Sequence, residues 1–324
     1  MKTYRIPNTN LDASVIGYGC MNIGGRWNVS SLTSDDRAKA TRAVLTAFEN
    51  GMTFFDHADI YCRGKSETVF GEILRQQTGL RNKIILQSKC GIRMKDDPHA
   101  GNPFRYDFSR EHIVRSVEGS LRRLQTDRLD ILLLHRPDPL VEPEEVAKAF
   151  QELEKTGKVR YFGVSNHTAQ QIALLQSVID QRIVINQVEL NLLHSSLITE
   201  GVVANTNDVH YTASAGTLDY CRLQKIMIQA WSPLAKGVLS HPPHDADECI
   251  RQTNALIAKL ASDKNTTNEA ILLAWLLRHP AQIQPIIGTT NPDRIVSSSV
   301  APDIQLTREE WYTLFTAIRG KQIP

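Results

Sequence analysis

Residues 53–67 read TFFDHADIYCRGKSE. An apolar run through Phe54 and Phe55 breaks into Asp56, His57 and Asp59, reaches Tyr61, and closes on Gly-Lys-Ser. A buried strand seldom ends on a carboxylate and a phenol so near each other without a use for them. The next two apolar runs finish the same way: KIILQSKCG presents Lys89, and DILLLHRPDP presents His135. Carboxylate, phenol, ammonium and imidazole are the side-chain types that hold and move protons. Singly, each has an ordinary explanation: Asp56 as an acid at a helix start, Tyr61 as a packed aromatic, Lys89 as half of an ion pair, His135 as a core histidine. Their joint occurrence at three consecutive strand tips outweighs those explanations if the fold brings the tips together.

The elements that would do so are legible as alternating patterns. Short apolar runs at 14–21, 52–59, 83–89, 130–136, 159–166, 183–190, 225–234 and 283–290 read as strands buried on both faces, as in a parallel sheet. Helical patterns lie between them at 34–50, 109–125, 142–158, 168–180, about 215–225, 248–264 with 268–278, and 292–298. Eight strand-then-helix units without a linker-like break predict one (β/α)8 barrel domain over residues 1–324, with a C-terminal helix. TYRIPNTNLDAS reads as a short N-terminal β-hairpin, a plug for the barrel's bottom. Gly17, Gly19 and Gly24 do not have GxGxxG spacing, which weakens an open dinucleotide-binding sheet. Long loops are expected at about 91–107 and 193–214; with 22–32 they are the expected seat of selectivity.

Composition narrows the function classes. With 324 residues, 41% hydrophobic and 22% charged, the chain has the makeup of a soluble globular protein with a full core. A net charge of +2, with no basic stripe, argues against a nucleic-acid partner. Five cysteines without a CxxC pair fit reduced thiols and a cytoplasmic location. The N-terminus lacks the apolar core of a signal peptide, and AILLAWLL is far below the ~20 residues that cross a bilayer, so no membrane role is expected.

In a barrel of this kind the strand tips share one mouth. DHADIY, SKCG, LLHRPDP, FGVSN, NQVE, WSPL and PIIGTTNPDRI, in that order, make the chain resemble the aldo-keto reductases from about residue 5 to 320. The resemblance implies a catalytic tetrad of Asp56, Tyr61, Lys89 and His135. It also implies a nicotinamide dinucleotide across the mouth and reduction of a small-molecule aldehyde or ketone to an alcohol. Tyr61 would then donate the proton, Lys89 would tune it, Asp56 would hold Lys89, and His135 would orient the carbonyl oxygen. A lysine ~4 Å away at an effective dielectric near 20 favours phenolate by ~4 kcal/mol, which would bring the phenol toward ~7. Asp56 offsets part of that.

By the same resemblance Ser165, Asn166 and Gln187 hold the carboxamide, and Trp231 stacks on the ring where a tyrosine is common. Ser232, Leu234, Gly288, Thr289 and Thr290 belong to the rest of the cofactor site. Arg294 matches the arginine that pairs with a 2′-phosphate and favours NADP (NADPH) over NAD, although Gly288 stands where many members carry a lysine. Two other readings compete: a dinucleotide-binding regulatory subunit, and a lyase with a Schiff base on Lys89. The chemistry calls for no metal, and HPPHDADE (241–248) reads as a solvated loop. Cys62 and Cys90 read as packing residues, Arg136 and Asp138 as local loop bonds with a substrate role as the unsupported alternative, and Trp27 as a candidate pocket aromatic.

Overall fold

The computed structural model describes residues 1–204, 206 and 214–324. The chain opens on an antiparallel pair, β1 (Thr3–Arg5) and β2 (Asp12–Ser14). Next come β3 (Gly17–Gly19), β4 (Phe54–Asp56) and β5 (Ile85–Cys90), then a second small pair, β6 (Ile92–Arg93) with β7 (Arg105–Tyr106). The remaining strands are β8 (Leu129–Leu134), β9 (Val159–Ser165), β10 (Ile183–Glu189), β11 (Met227–Trp231) and β12 (Gln284–Ile287). Eight of them close a parallel barrel in the order β10-β11-β12-β3-β4-β5-β8-β9, the (β/α)8 architecture expected.

The helices are α1 (Ser34–Glu49), α2 (Lys65–Gln76), α3 (Arg110–Leu124), α4 (Pro143–Lys155), α5 (Ala169–Gln176) and α6 (Ser196–Val202). They continue with α7 (Thr217–Leu223), α8 (Glu248–Asp263), α9 (Asn268–Leu277), α10 (Pro292–Ser299) and the C-terminal α11 (Arg308–Arg319). Thr33, Thr168 and Thr307 each close a capping box, which is why α1, α5 and α11 start where they do. Among the described residues no helix is long and apolar enough to cross a membrane.

Three differences from the sequence reading are informative. Helix α2 begins inside what reads as a Gly-Lys-Ser turn; its apolar positions Val69, Phe70, Ile73 and Leu74 have helical spacing and are buried. It packs so tightly on the end of α3 that a Cβ at Gly71 would lie 2.2 Å from the Arg123 carbonyl oxygen. The strands are also shorter than their apolar runs. Beyond β4 the amides of His57 and Asp59 still bond to the carbonyls of Gln87 and Lys89, so backbone pairing outlasts the regular ladder. Segment 91–107 folds partly into the β6–β7 pair, tied by Arg93 to Asp97 and Asp107. Segment 193–214 contains α6, and its residues 205 and 207–213 lie outside the described residues.

Alternation along each strand sorts the barrel interior into layers. Phe54, Ile85, Ile131, Leu133, Ile185, Met227 and Ile286 form an apolar cluster with Ile6, Leu11 and Ala13 from the N-terminal hairpin, which plugs the bottom as expected. Two residues further along the same faces stand Asp56, Gln87, His135, Gln187 and Gln229, and Lys89 follows Gln87 on β5. The opposite faces, with Phe55, Leu86, Leu132 and Ile228, pack against the helical shell.

Candidate active site

Three consecutive barrel strands deliver the four expected residues to one place. Lys89 is 1% exposed, and its Nζ donates to both Asp56 carboxylate oxygens at 2.7 Å. The same nitrogen reaches the His57 carbonyl at 2.9 Å and the Tyr61 hydroxyl at 3.0 Å. The His135 ring meets the Tyr61 ring edge-on at a centroid distance of 5.8 Å. Asp56, Tyr61 and His135 line one cavity of about 540 Å³, while Lys89 stands behind its wall. Burying an ammonium without a partner is costly, so the doubly bonded carboxylate is what permits a lysine there.

Burial pushes the Tyr61 hydroxyl up, the Lys89 ammonium draws it down, and Asp56 pushes it up again; the net lies above the ordinary phenol value. This corrects the expectation of a phenol near neutrality, which weighed the ammonium and omitted the cost of taking phenolate out of water. Burial alone would lower Lys89, but Asp56 and Tyr61 together hold it above its ordinary value, so it stays charged. Burial, then the Lys89 and Arg136 charges, hold His135 well below its ordinary value. The imidazole is therefore neutral at pH 7 and has one N–H to give.

Tyr61 owes its placement to a tight turn. Cys62 (φ 48°) and Arg63 (φ 59°) are left-handed, and Gly64 (φ 83°) completes the reversal into α2. The Cys62 thiol donates to the carbonyls of Met21 and Gly25 at 3.2 Å, which fastens the turn to the loop after β3. Gly24 admits this approach: a Cβ there would sit 2.6 Å from the Ser66 nitrogen. Burial raises the Cys62 and Cys90 thiols, in keeping with packing roles. Trp27 does not line the cavity but meets the Tyr61 ring edge-on at 6.4 Å.

The rest of the expected site surrounds the same cavity. Ser165, Asn166, Gln187, Trp231, Ser232, Leu234, Gly288, Thr289 and Arg294 all line it; Thr290 does not. Asn166 (φ 61°) donates to the Ser165 hydroxyl and the His135 carbonyl, and its side-chain oxygen accepts the Trp231 indole N–H at 3.0 Å. Asn291 caps α10 with its side-chain oxygen beside Gly288 and Thr289. No lining residue comes from 91–107, so the expected selectivity role of that segment has no support in the cavity wall.

The sequence reading missed a buried chain of glutamines. Gln87 donates to Asp56 at 2.6 Å and to the Gln229 side-chain oxygen at 2.9 Å. Gln187 donates to that same oxygen at 3.0 Å. Gln229 donates to Gln284, and Gln284 to the Ser14 carbonyl, each at 2.7 Å. Since a carboxylate can only accept, Asp56 fixes the orientation of Gln87, and each amide fixes the next. Gln229 thus joins the support of Asp56 to Gln187. The available signal was a glutamine inside each of the runs IILQSK, IMIQAW and IQPII.

Two further cations stand in the wall, of which Lys236 was missed. Lys236 follows WSPL, and Arg136 lies 5.7 Å from the Trp231 ring centroid. The expectation of local loop bonds holds in part for Asp138, which accepts from the nearby Leu140 amide but also from the distant Phe108 amide, and fails for Arg136, which extends into the cavity.

The family model for the aldo/keto reductase family matches residues 15–318. The chain is 37% identical over 303 residues to the "uncharacterized oxidoreductase YcsN" of Bacillus subtilis (strain 168), covering 93% of this chain and 95% of that protein. It is 34% identical over 300 residues to a 6-dehydroglucose reductase of Agrobacterium fabrum, covering 92% of this chain and 94% of that protein. A glycerol dehydrogenase structure from Gluconobacter oxydans superposes with a TM-score of 0.80 over 98% of this chain and 95% of that one. At 23% identity that likeness concerns the fold alone.

Proposed function

The chain belongs to the aldo/keto reductase family and is an NAD(P)H-dependent oxidoreductase; from that premise we propose that it reduces aldehydes or ketones with NADPH, Tyr61 giving the proton. The observation that carries this is the Lys89 ammonium, held by Asp56 and bonded to the Tyr61 hydroxyl at the edge of the cavity. When bound, a reduced nicotinamide supplies the hydride that no side chain can. As the carbonyl π bond breaks and a C–H bond forms, negative charge develops on the oxygen. Tyr61 passes its proton to that oxygen, and the phenolate left behind faces the Lys89 ammonium until solvent reprotonates it. A phenol held above its ordinary value suits the role, because it keeps its proton at pH 7 and so has one to give. The neutral His135 donates an N–H to the same oxygen and orients it.

The residues fit such a cofactor. In our reading Ser165, Asn166 and Gln187 meet the carboxamide, with the Gln187 side-chain oxygen left as acceptor because its nitrogen is committed to Gln229. The Trp231 indole is fixed by Asn166 as a stacking face. The backbone at Gly288 and Thr289 serves the phosphates, with Ser232 and Leu234 along the wall and Thr290 just outside it. Arg294, exposed at the start of α10, supports a preference for a 2′-phosphate. A Schiff base on Lys89 fits poorly, since that amine is charged and bonded to Asp56, His57 and Tyr61.

The direct test is absorbance of the reduced nicotinamide with a panel of aldehydes, ketones and quinones. Consumption of NADPH with simple aldehydes is expected. None with any carbonyl, together with borohydride trapping of substrate on Lys89, would favour the lyase.

A further inference from the structure

Arg136 stands apart from the machinery described above. It follows His135 directly, is half-buried, and lines the cavity. Its guanidinium rests 5.7 Å from the Trp231 ring centroid, and no carboxylate or carbonyl among the described residues bonds to it. The nearest acid in sequence, Asp138, is committed to the amides of Phe108 and Leu140. A guanidinium with its five donors turned into a cavity, and only an aromatic face for company, is an unmatched recognition group.

The charge of the cavity wall sharpens this. Among the described lining residues Asp56 is the one carboxylate, and Lys89 neutralises it. Among the same described residues three cations remain: Arg136, Lys236 and Arg294. Arg294 lies just after β12 and Lys236 just after β11, on the side assigned above to the cofactor phosphates. Arg136 follows β8, which is four steps from β12 in the ring of eight and therefore across the mouth from it. It borders His135, where the carbonyl would be held.

We propose that Arg136 recognises a carboxylate on the substrate, so that the preferred substrates are oxo-acids carrying an aldehyde or ketone and a separate carboxylate. This rests on the carbonyl-reductase reading of the same cavity. The planar fork of the guanidinium matches a carboxylate with two parallel hydrogen bonds, a stronger pairing than its contact with the indole. The carboxylate would dock beside Trp231 while the carbonyl oxygen lies between Tyr61 and His135.

The experiment uses matched probes that differ in charge and little in shape. 4-Carboxybenzaldehyde is compared with methyl 4-formylbenzoate, and succinic semialdehyde with its methyl ester, each with NADPH and NADH. In parallel, calorimetry reads the binding of 4-(hydroxymethyl)benzoate and of its methyl ester to the protein with NADP⁺. We expect each acid to exceed its ester by about tenfold or more in kcat/KM, and 4-(hydroxymethyl)benzoate to bind correspondingly tighter than its ester. Arg136→Met should collapse that ratio toward one, and Arg136→Lys should restore part of it. Equal use of acid and ester by the unaltered protein overturns the inference and leaves the reductase reading standing. So does an Arg136→Met variant that slows both alike, or one that weakens NADP⁺ binding as much as Arg294→Ala does. Failure to reduce any of the four aldehydes removes the reductase reading, and this inference with it.

Discussion

The Lys89 ammonium nitrogen lies 3.0 Å from the Tyr61 hydroxyl and 2.7 Å from both oxygens of Asp56. This places a fixed positive charge beside the phenol hydroxyl at the edge of the cavity. The ammonium acts mainly after transfer, when it faces phenolate instead of phenol. Tyr61→Phe should therefore lower kcat by about 10²–10⁴-fold, the usual span for a general acid. NADPH affinity, read by fluorescence titration, should move little. A variant that kept a large share of turnover would remove Tyr61 from the proton-donor role.

Gln229 accepts from both Gln87 and Gln187, so one side chain supports Asp56 and orients the residue assigned to the carboxamide. Gln229→Leu orphans two buried donors and should cost about 1–3 kcal/mol for each in urea unfolding. In the surviving folded fraction kcat should fall and KM for NADPH should rise together. A loss of stability with both kinetic constants intact would reduce the glutamine chain to a core feature.

Arg294 is exposed at the start of α10; its backbone amide donates to the Asn291 cap and its carbonyl accepts from the Ser297 and Ser298 hydroxyls, while among the described residues no bond holds its side chain. Arg294→Ala should raise KM for NADPH by about 10–100-fold, as expected for charge-assisted bonds to a phosphate of ~1.5–3 kcal/mol. KM for NADH should hardly change. Equal effects on both cofactors, or equal constants before mutation, would contradict the NADP preference.

Several histidines are held neutral: burial pushes His57 down to about 3, His112 and His167 down to about 4, and the half-buried His279 down to about 4. The folded state therefore binds fewer protons than the unfolded chain between about 6.5 and 4. Their contribution to stability is complete above that window and is lost as pH falls through it. Asp59 works the other way: burial and the neighbouring Glu67 push it up to about 8, so folding gains from its proton as pH falls from 8 toward 4. Four groups outweigh one, and the urea midpoint should drop from pH 7.5 to pH 5. A flat or rising midpoint would show that these imidazoles find partners or solvent.

Gly71 permits the contact between α2 and the end of α3. With a backbone oxygen 2.2 Å from the added methyl, Gly71→Ala can be accommodated only by moving the helices apart. A loss of about 1–3 kcal/mol is expected, typical of overpacking. Because α2 also carries the turn that holds Tyr61, kcat should fall with it. An unchanged melting temperature would mean that the two helices separate freely.

What was legible in sequence follows from short-range rules. Alternation of apolar runs with amphipathic ones specifies strands and helices. A parallel barrel in turn obliges the ends of β4, β5 and β8 to meet, so Asp56, Tyr61, Lys89 and His135 could be named as a group. Helix α2 was obscured because its polar start, Gly-Lys-Ser, has the composition of a turn.

The sequence by itself determined the barrel, the order of the strand tips, and the residue types standing at them. Only the tertiary structure decided how those groups act on one another. That Tyr61 is more deeply desolvated than Lys89 can offset, that Gln229 serves two neighbours, and that Arg136 turns inward while Asp138 holds the Phe108 amide all depend on contacts between residues far apart in the chain. Spacing along a strand says which side a residue faces. Burial, dielectric and the supply of hydrogen-bond partners are sums over every element packed around it, and they exist only once the barrel has closed.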